Sequence, residues 1–377
     1  MKIGNFIQQT GGFKAFVPEQ FPPAKSMDLS SSAERIHTKA SFMLGKLDGI
    51  TNLLPDLDFF IFMYVRKEAA LSSQIEGTKA TMINAIEAET ELTADLPSDV
   101  SDILHYIEAM NYGLKKLEEI PLSLRLIKEV HKVLLTGARV DHFADPGNFR
   151  TSQNWIGGGS PATARFVPPP PSEVMRAMGD IELFMHKDNE ISTLVKAALI
   201  HAQFETVHPF LDGNGRTGRL LMTFYLCQQG LLERPVLYLS EYFKRNREAY
   251  FDLLNGYHNK GEVEPWIKFF LEGVADVAEK AIATSKSINS LREEDIVKVS
   301  ALGGKRVKSA LKLLQNLYTL PIVDAKKVEQ WTGLSRPSAN ALIKEFVRLG
   351  ILEQRDKKEV YRRRFEYKRY LSMFTSE

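Results

Sequence analysis

The stretch STLVKAALIHAQFETVHPF, residues 192–210, runs into a cluster of glycines, and the kind of element that precedes those glycines decides what this chain can fold into. Gly213-Asn214-Gly215-Arg216-Thr217-Gly218 satisfies G-x-G-x-x-G literally, the pattern of a dinucleotide-binding turn. Such a turn must follow a short buried strand, because strand-turn-helix geometry brings the backbone amides to the pyrophosphate. Here Leu194, Ala197, Ala198, Ile200, His201, Phe204 and Val207 recur at helical spacing over several turns, too long and too polar on the other face for a buried strand. A dinucleotide fold is excluded. The lysine of a Walker A loop is absent too, so what remains is helix, glycine-rich loop, helix.

That arrangement makes an anion site. Amides of Gly213, Asn214 and Gly215 can point into one concavity, and the following helix presents its positive N-terminal end there. Arg216 and Arg219, three apart, share a face of that helix's first turn and can hold phosphate oxygens in bidentate fashion. Asp212 beside them is a hard carboxylate suited to Mg²⁺ that bridges phosphates. His208, ahead of Pro209, titrates near neutral pH and is placed to take a proton from an attacking hydroxyl.

HPFLDGNGRTGR (208–219) matches every fixed position of the Fic-family motif HPFx(D/E)GNGRxxR, and the resemblance extends over about 122–270. The resemblance implies a protein adenylyltransferase that uses ATP and Mg²⁺ to place AMP on Ser, Thr or Tyr hydroxyls. His208 would be the general base, Phe210 a core anchor and Asp212 the metal ligand. Gly213, Asn214, Gly215, Arg216, Thr217, Gly218 and Arg219 would cradle the triphosphate. TSQNWIGGGS resembles the family's flap, a hairpin with Trp155, Ile156, Gly157 and Gly158 near the nucleotide, while Tyr250, Phe251 and Asn259 would meet adenine. LSSQIEGTKAT holds Ser72, Glu76 and Gly77 as (S/T)xxxE(G/N), which in the family marks an inhibitory helix: Glu76 would pair with Arg219 in the place of the γ-phosphate. The same carboxylate could orient water for removing AMP.

The rest of the chain is read around this centre. The expected fold is mainly α, with a Fic helical core and a β-hairpin flap. The expected units are 1–120 (N-terminal helices with the inhibitory motif after an irregular leader), 121–285 (catalytic domain) and 286–377 (linker helix and winged helix-turn-helix). From 303 onward there are 17 basic against 8 acidic residues, a balance of +9, while the remainder carries −7. In that basic segment Gly333 makes a turn and Ser335 with Pro337 opens a second helix. Arg336, Ser338 and Asn340 start its exposed face, and Arg362, Arg363 and Arg364 fall on a wing over 357–365.

DNA binding and protein interaction both fit this basic unit. A DNA-binding regulator with a nucleotide-sensing core is therefore the alternative function, and transfer of another phosphate-containing group is a further one. The expected partner is a protein bearing a hydroxyl side chain, with self-modification and a homodimer left open. His201, Glu205 and His208 stand at i, i+4 and i+7, ligand-like spacing that a packing pair explains more economically. His131, His142 and His258 read as surface or cap residues. Cys227, alone, permits no intrachain disulfide and sits in an apolar segment as a core residue. No apolar run reaches the roughly 18 residues of a membrane span, and the first residues lack a signal-peptide design, so a cytoplasmic protein without a membrane partner is expected.

Overall fold

The computed structural model describes residues 2–22, 28–51, 57–90, 97–137, 145–188, 190–304, 306–356 and 363–375. The leader is not irregular. It forms an antiparallel hairpin, β1 (Gly4–Gln8) and β2 (Lys14–Pro18), with Phe6 opposite Phe16. Gly11 and Gly12, both at positive φ, let the chain reverse between them. Phe16 is buried and packs against Phe166, and its amide donates to the Val167 carbonyl at 2.9 Å, so the hairpin closes over the segment expected to carry the flap.

Four helices follow: α1 (Ser31–Thr51), α2 (Leu57–Ile75), α3 (Met82–Thr90) and α4 (Val100–Leu117). α2 stops where Gly77 takes φ 101°, a conformation that a β-carbon would strain. Asp99 stands at the N-cap of α4, and its carboxylate accepts from the Lys79 amide at 2.6 Å and so ties the segment after α2 to α4.

The middle of the chain holds α5 (Leu124–Leu135), α6 (Pro171–His186), α7 (Thr193–Val207) and α8 (Asn214–Gln228). α6 starts at Pro171, where proline's missing N–H is no loss. α7 is the helix that the spacing demanded. It is buried all round rather than on one face, from Leu194 through Val207, because α6, α8, α10 (Arg247–Lys260) and α11 (Val263–Ser300) all pack on it. α9 (Ser240–Arg245) leads into α10. Trp266 of α11 fills the space behind α7 and donates its indole N–H to the Ala198 carbonyl at 2.8 Å. α11 is one unbroken helix of 38 residues, and α1 lies along it.

The C-terminal unit consists of α12 (Arg306–Thr319), β3 (Ile322–Val323), α13 (Ala325–Thr332), α14 (Arg336–Arg348), β4 (Glu353–Gln354), β5 (Phe365–Glu366) and α15 (Lys368–Thr375), with the strands paired antiparallel in the order β3-β5-β4. Gly333 at φ 72° turns α13 into α14 as expected. Most of the proposed wing, with Arg362, lies outside the described residues, as does His142. Arg363 is exposed, whereas Arg364 and Arg355 both reach Glu87 of α3 and the half-exposed Arg336 pairs with Glu329 at 2.9 Å. One apolar cluster runs from the first hairpin to α15. No helix among the described residues is long and apolar enough to cross a membrane.

Candidate active site

α7 ends at His208, whose φ of 47° makes it the one described non-glycine residue in the left-handed region. A histidine held there is strained, so its surroundings must impose the conformation. They do so through the backbone. Asn214 accepts from the Phe210 amide at 2.8 Å and returns a bond to its carbonyl, Asn154 donates to the carbonyls of His208 and Phe210, and Arg150 donates to that of His208 at 2.9 Å. Phe210 is fully buried and stacks on His131 at 3.6 Å between ring centroids. His131 accepts the Gly147 amide on Nδ1 and donates from Nε2 to the Asp212 carbonyl at 2.9 Å. It is therefore no surface residue but a buried strut under the loop, and burial drops its pKa to about 4.

The loop delivers its groups into a cavity of about 540 Å³. Gly213 at φ 75° turns the chain into α8, whose first amides have no acceptor within the helix. Within the cavity wall stand His208, Asp212, Gly213, Asn214, Gly215, Arg216 and Arg219, together with Glu76, Trp155, Ile156, Gly157, Tyr250 and Phe251. The sequence-derived set is thus largely gathered in one place, with four departures. Thr217 and Gly218 lie on the inward face of α8, where a β-carbon on Gly218 would meet Glu205 and Phe204. Gly158 forms the flap's turn, its carbonyl receiving the Trp155 indole at 3.3 Å, and does not line the cavity. Asn259 does not line the cavity but donates to Asn255, and it is Asn255 and His258 that line the wall. The flap hairpin is reduced to a single antiparallel bridge, Ile156 with Phe166, because three successive glycines, Gly157 to Gly159, give strand pairing nothing to pack.

Glu76 enters this cavity from α2. Arg219, completely buried, donates from Nη2 to Glu76 Oε1 at 2.7 Å and to the Ser72 carbonyl at 2.9 Å, and from Nε to Ser72 Oγ at 2.8 Å, while its Nη1 has no partner. Burial works to raise the Glu76 pKa, but Arg219, with Arg216, more than offsets it and holds the acid below its ordinary value. The carboxylate rests so close to the first turn of α8 that a β-carbon on Gly215 would collide with it. A carboxylate at a helix N-terminus, on an arginine that keeps a free N–H, occupies an anion's place.

His208 is half-buried, and its partial desolvation, reinforced by the charge of Arg150, lowers its pKa to about 4. Its Nδ1 faces the Glu205 carbonyl at 3.3 Å, which assigns the proton to Nδ1 and leaves Nε2 as an acceptor. Glu205 beside it is pushed up to about 8 by burial and stays protonated at neutral pH. The spaced trio separates: His201 Nε2 contacts the Tyr250 hydroxyl at 2.9 Å, and His208 faces the cavity. His258, expected at the surface, is buried against Phe166 at 3.6 Å and lines the cavity's far side.

Comparison with known proteins converges on the same loop. The Fic/DOC family model matches residues 121–226, and the Fic/DOC family N-terminal model matches 35–115. The chain therefore carries a Fic/DOC family domain preceded by that family's N-terminal region. Protein adenylyltransferases Fic of Drosophila grimshawi (31% identical over 214 residues, 55% of this chain and 40% of that one) and Drosophila erecta (32% over 218, 55% and 39%) are similar to it; the match spans about two-fifths of their length. In fold, the Fic chain resembles a Fic family protein from Desulfovibrio desulfuricans G20 (TM-score 0.59, 18% identity, 91% of this chain and 98% of that one). It also resembles Fic-1 (aa134–508) from C. elegans (TM-score 0.51, 19%, 68% and 74%). Arg150, Asn154 and His131, which shape the Fic loop from outside it, had no motif to announce them. His131 alone left a trace, at helical spacing with Ile127 and Leu134 on the buried face of α5.

Proposed function

We propose that the chain is a protein adenylyltransferase that moves AMP from ATP to a Ser, Thr or Tyr hydroxyl of a protein and is held in check by Glu76. The observation that carries this reading is the Glu76–Arg219 pair lying inside the cavity that also presents His208 and the amides of α8. The γ-phosphate would need the same guanidinium, so bound ATP sits displaced until Glu76 gives way. With ATP seated, the hydroxyl oxygen attacks the α-phosphorus in line. The bond to the bridging oxygen breaks, pyrophosphate leaves, and the hydroxyl proton passes to His208 Nε2. Arg216, Arg219 and the helix amides hold the departing charge.

Asp212 fits a Mg²⁺ bound mostly by nucleotide phosphates. Its carboxylate is exposed to the cavity, 3.7 Å from Arg216 and tethered by the Gly213 amide at 2.6 Å, and such an ion needs one or two protein carboxylates. When bound, Mg²⁺ would neutralise phosphate charge. Tyr250 and Phe251 offer the adenine an aromatic wall, with Trp155, Ile156 and Gly157 opposite. Against the DNA-binding alternative stand the arginines of the C-terminal unit that are spent on Glu87 and Glu329.

The reading is tested by incubating the purified protein and a cell lysate with ATP labelled at the α-phosphate. Protein labelling, with an added mass equal to AMP on a hydroxyl residue, is expected. Labelling with a different mass would replace the transferred group, and no labelling by wild-type or Glu76→Gly protein would end the proposal.

A further inference from the structure

α2 has a second working face. Ser72 and Glu76 turn towards Arg219, whereas Lys67, Ala70, Leu71 and Gln74 share the opposite side at helical periodicity and line a separate cavity of about 500 Å³. Leu71, Met82, Ile83 and Phe374 give it an apolar wall, drawn from α2, α3 and the last helix of the chain. The volume falls in the range that encloses a small organic ligand.

The rim is basic, and its cations are not equivalent. Lys67 and Lys280 are held by Glu241 at 2.6 and 3.1 Å, and Arg245 by Asp276 at 2.7 Å. Lys244 stands in no ion pair among the described residues. Its ammonium donates to the Gln74 side-chain oxygen at 2.8 Å, a neutral partner where a carboxylate would be worth about twice as much. One unneutralised ammonium beside an apolar wall matches a ligand with a single negative charge and an alkyl body. A dianion would need a second free cation.

We infer that this cavity binds a small amphipathic carboxylate, its chain along Leu71, Met82 and Phe374 and its head on Lys244, and that binding loosens the grip of Glu76 on Arg219. The link is Gln74. It sits on the last turn of α2, two residues before Glu76, and is tied at both ends of its amide: Nε2 to the Ala80 carbonyl at 2.7 Å and Oε1 to Lys244. A carboxylate that claims Lys244 unties one end, in the turn whose position sets Glu76. The occupied site touches both α2 and α15, so it also reports whether the C-terminal unit is docked. The binding half of this inference stands alone; the loosening half rests on the inhibitory role proposed for Glu76.

The test uses the full chain and three probes: decanoate below its micelle concentration, acetate as the head alone and 1-decanol as the tail alone. Titration calorimetry should show one saturable decanoate site, with both partial probes at least about tenfold weaker. Leu71→Trp should fill the cavity and abolish binding. Lys244→Met, a second variant should the first misfold, should weaken decanoate about tenfold and leave decanol unchanged. Decanoate should raise self-labelling from ATP about fivefold or more in wild type and leave Leu71→Trp unmoved. Decanol binding as tightly as decanoate, or decanoate binding untouched by both substitutions, overturns the site. Saturable binding without a change in labelling, in a preparation whose Glu76→Gly form labels strongly, overturns the coupling. If the Glu76→Gly form labels no more than wild type, the inhibitory role itself has failed, and the calorimetry alone decides the site.

Discussion

Glu76 and Glu87 lie close together in sequence, one just past α2 and one on α3, and each receives arginine from a distant part of the chain. Around Glu87, which is almost wholly buried, Arg355 and Arg364 hold the C-terminal unit against α3, and Arg355 also reaches Glu366. Around Glu76 the situation is reversed. Arg219 is fully buried and keeps an unpartnered Nη1, the carboxylate remains about two-fifths exposed to the cavity, and a phosphate would bind the same guanidinium. Similar chemistry therefore serves a permanent joint in one place and a contested one in the other. What separates them is access: the Glu87 pair is enclosed by packing, while the Glu76 pair opens on a cavity, as the inhibitory role proposed for Glu76 requires.

The comparison breaks most sharply at the base. His208→Ala should reduce protein labelling by roughly 10²-fold or more while ATP binding, measured by calorimetry, stays close to wild type, because Arg216, Arg219 and the α8 amides are untouched. A loss of ATP affinity equal to the loss of rate would make His208 part of the binding site instead. The contested pair gives the next effect. Glu76→Gly should raise self-labelling about tenfold or more, and Arg219→Ala added to it should cancel the gain, since both the inhibited and the reactive state use that arginine. Additive effects of the two substitutions would show that they do not share a function.

What was legible in the sequence divides along the same line. HPFLDGNGRTGR is contiguous, and its helix-loop-helix context follows from local periodicity, so the loop and its helices could be placed without the structure. Glu76 and Arg219 are 143 residues apart; only the resemblance joined them. Arg150 and Asn154 act on backbone carbonyls, and a carbonyl carries no residue identity for a sequence pattern to match. Asn259 is absent from the cavity wall, which Asn255 and His258 of the same helix line, a difference of side-chain direction that spacing alone does not resolve. In the basic C-terminal unit the charge count is real, but one acid that absorbs part of it, Glu87, lies more than 250 residues upstream, where no local charge count includes it.

Acid should act through the histidines packed in and behind the cavity wall. His131 and His208 are lowered to about 4, and His201 and His258 to about 3, mainly by burial, so each binds its proton more readily in the unfolded chain. Between pH 6.5 and 4 the unfolded state gains these protons first, and stability must fall as pH falls. Glu205, raised to about 8, acts in the opposite sense above its unfolded pKa, as do Glu68 and Asp180, which burial also raises, but the lowered histidines, His37 among them, outnumber these acids. The urea midpoint should drop clearly from pH 7 to pH 5. In His258→Phe, which removes a ring with both nitrogens unpartnered, the drop should be smaller. An identical pH slope in the variant would mean that His258 is not held neutral in the folded chain.

The smallest effect belongs to the joint. Glu87 is almost wholly buried and Arg355 three-quarters so, and removing the acid takes its carboxylate away from both Arg355 and Arg364. Arg355 retains Glu366 at 3.3 Å, which limits the damage. Glu87→Ala should therefore lose about 1–2 kcal/mol in urea unfolding, less than the 3–5 kcal/mol typical of a fully buried pair that loses one partner. Self-labelling should stay within about twofold of wild type, because no phosphate competes at this site and Arg219 is not involved. Arg355→Ala should reproduce the same loss, and the double variant should lose less than the sum of the two, the signature of a direct contact. A Glu87→Ala protein of unchanged stability whose labelling rose as in Glu76→Gly would abolish the distinction between joint and switch, for it would mean that α3 holds the inhibitory helix in place through the C-terminal unit.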